Sequence, residues 1–286
     1  MKTQENQLYG QGIAVLPVEI PTASFLTGEE GREIVAAVTR DYSKHPIIRN
    51  EFNYDEELGC ATGSNAFILG AVQKYLPAGS RLATLAEVQD IASRHPQALR
   101  GTYVDTGMFI ATTQDQQNAS NNTLAEKLAK EFRKRDVEGL MKMINMPGLD
   151  MEVDGNSDYG LSFHLREDAE IIPAEILAQS GRFVIKDIER KTGIPKKLDP
   201  EGERGLYGRN TGISGVYLNG DLDLGSYWGR LGDSDPGGRV VVVKGAAGAK
   251  KILEQHLAEL ERENVQILVK QNERFKRAKD ILYGRQ

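Results

Sequence analysis

The chain has 286 residues, 40% of them hydrophobic and 27% charged, with a formal net charge of −5. That profile suits a globular protein with material for one large or two modest cores, and it excludes a wholly disordered chain. The mild acidity argues against general nucleic-acid binding, which needs a basic face.

The N-terminal MKTQENQLYGQGIAVLPVEI lacks a basic stretch followed by an uninterrupted apolar run, and no segment approaches the ~18 consecutive apolar residues of a membrane span. The default expectation is therefore a cytoplasmic chain without a membrane span. Within that stretch GIAVLPVEI reads as a strand. Gly28 to Tyr42 has helical spacing with its acids leading. Ser64 opens SNAFILGAVQKYL, where Phe67, Ile68, Ala71, Val72 and Tyr75 share one helical face, and Pro77 with Gly79 ends it. Thr84 and Glu87 have capping-box spacing ahead of a stripe of Leu85, Val88, Ile91 and Ala92, and Pro96 stops that helix. Tyr103 to Thr113 is rich in β-branched and aromatic residues, as a strand is.

The polar string Gln114 to Thr123 reads as a linker. Thr123 and Glu126 repeat the capping-box spacing, and Thr123 to about Met146 is expected to form one or two helices with a basic face of Lys127, Lys130, Arg133, Lys134 and Arg135. MEV, GLSFHL and GRFVIKDI look extended or mixed. After Arg239 to Val243, Ala249 to Leu282 contains neither proline nor glycine and predicts a long helix. Its apolar seam through Leu253, Leu257, Leu260, Leu268, Phe275 and Leu282, interrupted by Asn264, is heptad-like and predicts a homo-oligomer formed through this tail.

Motifs for chemistry are sparse. With Cys60 the sole cysteine, one chain builds no disulfide, Cys-based zinc site or iron–sulfur cluster. His45, His95, His164 and His256 lack the spacing of a paired metal site. Asn219-x-Asp221-x-Asp223 begins like a calcium-binding loop, but Leu224 stands where the turn needs glycine and Arg230 where a glutamate should close it. Asp221, Asp223, Asp233 and Asp235 leave open a calcium site of another geometry. No phosphate-cradling loop or nucleophile elbow is found. Catalytic candidates reduce to Cys60 without an adjacent base and to the carboxylates Glu175, Asp187 and Glu189; no catalytic residue, resident metal or cofactor is assigned.

What stands out is Gly205 to Asp235, GLYGRNTGISGVYLNGDLDLGSYWGRLGDSD. Tyrosine supplies wide contact area with few rotors, while Ser, Gly, Asn and Asp supply short hydrogen-bonding groups and permissive backbone, the chemistry of adaptable binding loops. The same residues dominate ordinary turns. Val216, Leu218, Leu222, Leu224 and Leu231 recur between the polar positions, so a buried frame alternates with displayed side chains.

Two pieces carry a resemblance. SRLATLAEVQDIA resembles the first helix of C-type-lectin-like and formylglycine-generating-enzyme-like domains, and GGRVVVV after a Tyr/Trp/Gly/Asp-rich approach resembles their closing strand. The combination resembles the variable proteins of diversity-generating retroelements, especially those of archaea and their viruses. The resemblance implies an α+β, C-type-lectin-like domain built from residues 1–120 and 201–245, with a helical or mixed insertion over 121–200 and a C-terminal helix over 246–286. It implies a non-catalytic binding protein whose displayed ligand contacts are Tyr207, Asn210, Tyr217, Asn219, Asp221, Asp223, Ser226, Tyr227, Asp233 and Asp235. Leu218, Leu222, Leu224, Leu231 and Val240 to Val243 would be framework, with Trp228 a fixed aromatic. The implied partner is a protein or a glycan. A calcium-dependent lectin or a formylglycine-generating-enzyme-like enzyme is the alternative, although the paired active-site cysteines of those oxidases are missing; a structural subunit of a virion or surface assembly is another.

Overall fold

The structure, a computed structural model, describes residues 22–112, 122–135, 141–209, 212–227 and 231–245. The strand expected in GIAVLPVEI, the positions Asn210 and Trp228, and the helix expected over Ala249 to Leu282 lie outside the described residues.

Strand β1 (Thr22–Phe25) leads into helix α1 (Gly28–Asp41), which buries Ile34, Val35 and Val38 and carries Glu29 and Glu30 in its first turn, where the helix dipole favours acids. A single turn opened by proline, α2 (Pro46–Arg49), precedes the antiparallel pair β2 (Asn53–Asp55) and β3 (Cys60–Thr62). Helix α3 (Ala66–Tyr75) starts at Asn65, whose side-chain oxygen accepts from the Ile68 N–H. Its residues from Ala66 to Val72 are all buried, so this helix runs through the interior. After β4 (Ser80–Leu82), α4 (Leu85–Arg94) begins with the expected capping box, Thr84 and Glu87 each accepting the other's backbone N–H. Pro96 stops α4 and opens one further turn, α5 (Pro96–Leu99). The long strand β5 (Tyr103–Thr112) follows.

Where one or two helices are expected from Thr123 to Met146, the described residues hold one, α6 (Asn122–Lys134), and then a strand, β6 (Met141–Asn145). The run Met141 to Ile144 suits either period, and pairing decides it: β6 lies antiparallel to β5. Strands β7 (Leu149–Val153) and β8 (Leu161–Leu165) form a separate hairpin, and β9 (Ile171–Pro173) and β10 (Gly181–Phe183) follow. β6 and β9 join the main sheet beside β5, and β10 joins its far end. The described part of the 121–200 segment is thus mixed in structure: β6, β9 and β10 belong to the main sheet, while α6 and the β7–β8 hairpin lie outside it. The chain returns through β11 (Arg204–Tyr207), β12 (Ile213–Leu218), β13 (Leu224–Gly225) and β14 (Gly238–Lys244).

The result is a mixed α/β fold around a ten-stranded sheet whose main path runs β1-β14-β5-β12-β13-β11-β10. β5 is the hub: its first residues pair in parallel with β14, its last with β6, and β12 runs antiparallel along most of it. Alternation along the strands sorts side chains into two cores. Phe109, Ala111, Ile213, Val240 and Val242 pack with α1, α3 and α6; Val104, Met108, Ile110, Val216, Val241 and Val243 pack with α4. Both faces are covered, which explains the unbroken Val240 to Val243 run. At roughly 1.5–3 kcal/mol per buried valine, that run holds β14 inside the sheet, between β1 and β5.

Candidate functional site

The same alternation sends Tyr103 and Asp105 of β5 toward the face that α3 covers, beside Phe109. Pairing then extends the row. Asp105 is opposite Tyr217 on β12, Tyr217 is opposite Gly225 on β13, and Gly225 is opposite Tyr207 on β11, so these positions share one face. Because Gly225 has no side chain, the Tyr217 ring lies across it: a Cβ there would come 2.1 Å from Cζ of Tyr217.

Four tyrosines form a continuous array. Tyr103 and Tyr217 stack at 4.6 Å between ring centroids with 24° between planes. Tyr217 and Tyr227 follow at 6.1 Å, tilted, and Tyr227 meets Tyr207 edge-on at 6.2 Å, all within the range of attractive aromatic pairs. Exposure varies along the array: Tyr103 is half-buried, Tyr217 is 4% exposed, Tyr227 44% and Tyr207 47%. Burial, and then the hydrogen-bonded hydroxyl of Tyr227, hold the Tyr217 phenol above its ordinary range, while burial and the Asp105 charge do the same for Tyr103. Both phenols stay neutral.

At the inner end lies a cavity of about 140 Å³, walled by Tyr103, Asp105, Tyr217, Asp233, Ser234 and Asp235 among others. The Asp105 carboxyl accepts a 2.7 Å hydrogen bond from Ser64 Oγ. Its burial pushes its pKa up to about 7, the Ser64 hydrogen bond opposing and the Asp235 charge adding to the rise. Ser234 Oγ is shielded from solvent with no hydrogen-bond partner. Asn65 fixes the near wall: its amide donates to the carbonyls of Ile47 and Gly232 while its oxygen caps α3. Asp233 and Ser234 also line an adjoining, more open cavity of about 430 Å³ that reaches Pro46 and Glu51.

The positions expected to be displayed therefore separate. Tyr207, Tyr227, Asp221, Asp233 and Asp235 are exposed, and Asp233 and Asp235 reach the cavity. Tyr217 is a cavity wall instead of a displayed side chain. Ser226 is fully buried and donates its hydroxyl to the Leu177 carbonyl at 2.7 Å, so it is a structural link between sheet and loop. Asn219, half-buried, accepts from the N–H groups of Asp221 and Asp223 through its side-chain oxygen, which makes it the organiser of the β12–β13 turn. Asp223 is also committed, accepting the Gly205 N–H at 2.6 Å. The expected framework residues Leu218, Leu222, Leu224, Leu231 and Val240 to Val243 are all buried.

Sequence reasoning did not single out Tyr103, Asp105, Ser64 or Ser234. Asp105 carried a signal, because aspartate is depleted in strands and here interrupts an apolar one. Cys60 is 3% exposed and burial raises its thiol pKa, so it packs as an apolar residue. Part of the expected basic face is engaged locally: Lys127 pairs with Glu152 at 2.8 Å and Arg135, just past α6, donates to the Leu165 carbonyl, while Lys130 and Lys134 are exposed. Among the described residues no group of three or more His, Cys, Asp or Glu converges as a metal site, and no helix is long and apolar enough to cross a membrane. No protein-family model, curated protein or solved structure matches the chain, so its chemistry has to be read from the site.

Proposed function

We propose that this chain is a non-catalytic recognition protein that takes a protein or glycan ligand on its tyrosine array, with Tyr207 and Tyr227 as the outer contacts and Tyr217, Tyr103 and Asp105 as the pocket behind them. The carrying observation is the array itself, which leads without a break from two half-exposed rings to a partly open cavity. Rigid aromatic anchors around a pocket are the usual source of binding energy at such surfaces. The scaffold we propose for it is C-type-lectin-like, in the manner of retroelement-diversified variable proteins. That reading is supported by the capped helix α4 and by β14 closing the sheet between β1 and β5.

A second reading is favoured by Asp105, whose pKa of about 7 suits general acid–base catalysis. Its titratable companions in the cavity are the carboxylates Asp233 and Asp235, both exposed to solvent, and among the described residues lining the cavity there is no cysteine, histidine, lysine or arginine. Recognition therefore stands first.

The test is selection of binders for the full chain from a peptide display library and a glycan array, repeated with Tyr207→Ala plus Tyr227→Ala. Both rings are half exposed, so melting should hardly change, while binding should weaken by about 2 kcal/mol or more per ring. Binders indifferent to the double variant would place recognition elsewhere and end the proposal.

A further inference from the structure

The cavity at the inner end of the tyrosine array has one-sided chemistry. Its charged walls are Asp105, Asp233 and Asp235, and the adjoining open cavity adds Glu51. No lysine or arginine lines either one among the described residues. The α3 N-terminus would add positive character, but its first N–H groups are engaged: that of Ala66 donates to the Leu231 carbonyl and that of Ile68 to the Asn65 side chain. The remaining walls are aromatic or apolar, chiefly Tyr103, Tyr217 and Leu231.

From this we infer that the cavity binds an alkylammonium group, held by the Asp105 carboxylate and enclosed by the rings of Tyr103 and Tyr217. This rests on the recognition reading above and names the chemistry of the group recognised. Size agrees: an apolar cavity of about 150 Å³ holds a benzene-sized molecule, and this one, at about 140 Å³, has room for an ammonium head with a few carbons. The Tyr217 ring is stacked on Tyr103 and lies across Gly225, so it bounds the group as a rigid apolar wall, and the cation's partner is the Asp105 carboxylate. An anion would meet three carboxylates. A neutral apolar group would offer the Asp105 carboxyl nothing beyond its Ser64 hydrogen bond, whereas a cation satisfies the carboxylate and keeps its proton off. Ser234 Oγ, which has no hydrogen-bond partner in the same wall, is a further acceptor for an N–H of the group. The ammonium can arrive on a free small molecule or on a lysine side chain of a partner polypeptide.

Isothermal titration of the full chain tests this with choline, n-butylammonium and N-acetyl-lysine methylamide, against neutral 3,3-dimethyl-1-butanol, the uncharged isostere of choline. At least one cation should bind, and choline should bind about tenfold or more tighter than its isostere. Asp105→Asn should erase that preference. Gly215→Val, whose Cβ would point to within 3.8 Å of Asp105 Oδ1, should block entry of every probe while leaving the carboxylate in place. Tighter binding of the lysine derivative than of n-butylammonium identifies a polypeptide source; equal or weaker binding identifies a small molecule. Equal affinity for choline and its isostere, a preference surviving in Asp105→Asn, or no binding by any cation would each overturn the inference. The display and array selections with the Tyr207 and Tyr227 variant stand apart from these outcomes, so the two proposals fail separately.

Discussion

The ring of Tyr217 lies over the backbone of Gly225, its cross-strand partner, at a distance that leaves no room for a Cβ. Glycine in a strand normally weakens it, and here an aromatic neighbour covers the exposed peptide and recovers packing. Gly225→Ala should therefore force the ring off its site and cost about 1–3 kcal/mol. Equilibrium denaturation of a double-mutant cycle checks the cause: in a Tyr217→Ala background the same glycine change should cost far less. Additive effects would mean that the ring and the glycine are not coupled.

Asn219 closes the β12–β13 turn by accepting two backbone N–H groups, and within that turn Leu222 adopts φ of 70°. A non-glycine residue in that region is tolerated only when its surroundings over-determine it. Here Leu222 is anchored in the core and its N–H donates to the Asn219 carbonyl. Asn219→Ala removes both side-chain hydrogen bonds and should destabilise the chain by about 1–2 kcal/mol. Ligand selection at pH 7 should be unaffected once the protein is folded. Loss of binding without loss of stability would restore Asn219 as a contact residue.

Local chemistry was legible where it was self-contained. The Thr84–Glu87 capping box and the β-branched and aromatic residues of Tyr103 to Thr113 need no distant partner to be read. The stretch Met141 to Ile144 is different, because methionine, lysine and isoleucine at that spacing satisfy a helix as well as a strand, and only β5 and β9 on either side make it extended. The site divides in the same way. Composition singles out the stretch Gly205 to Asp235, and the resemblance nominates Tyr207, Tyr217 and Tyr227 within it. Their division into rim and wall depends on register, which brings Asp105 opposite Tyr217 across 112 positions of chain. Nothing near Asp105 in sequence announces Ser64 or Asp235 as its neighbours.

Lys142, in the middle of β6, is fully buried, and among the described residues its Nζ has no hydrogen-bond partner. It lies on the face that Ile144 shares with the α3 and α6 core. Enclosing an uncompensated polar group is costly, and methionine has nearly the same length and shape. Lys142→Met should raise stability by roughly 2 kcal/mol, read from the urea midpoint at constant slope. A loss of stability would show that the amine has a role that its surroundings do not reveal.

Asp105 should leave its mark on the pH dependence of folding. Its folded pKa of about 7 lies above the ordinary aspartate value near 4. Below about pH 4 the carboxyl is protonated in both states and contributes no difference. Between about pH 4 and 7 the unfolded chain releases the proton while the folded protein retains it, so stability falls as pH rises; above about pH 7 the full penalty persists. Asp105→Asn cannot ionise, and its oxygen can still accept from Ser64. It should match the native chain near pH 4 and exceed it near pH 8 by on the order of 2 kcal/mol, a few degrees in Tm for a chain of this size. Such a gain, together with lost selectivity for choline, would mark Asp105 as a residue kept for binding at the expense of stability. Equal stability of the two proteins across that range would mean that the carboxyl is solvated in place, and the electrostatic basis of the pocket would go with it.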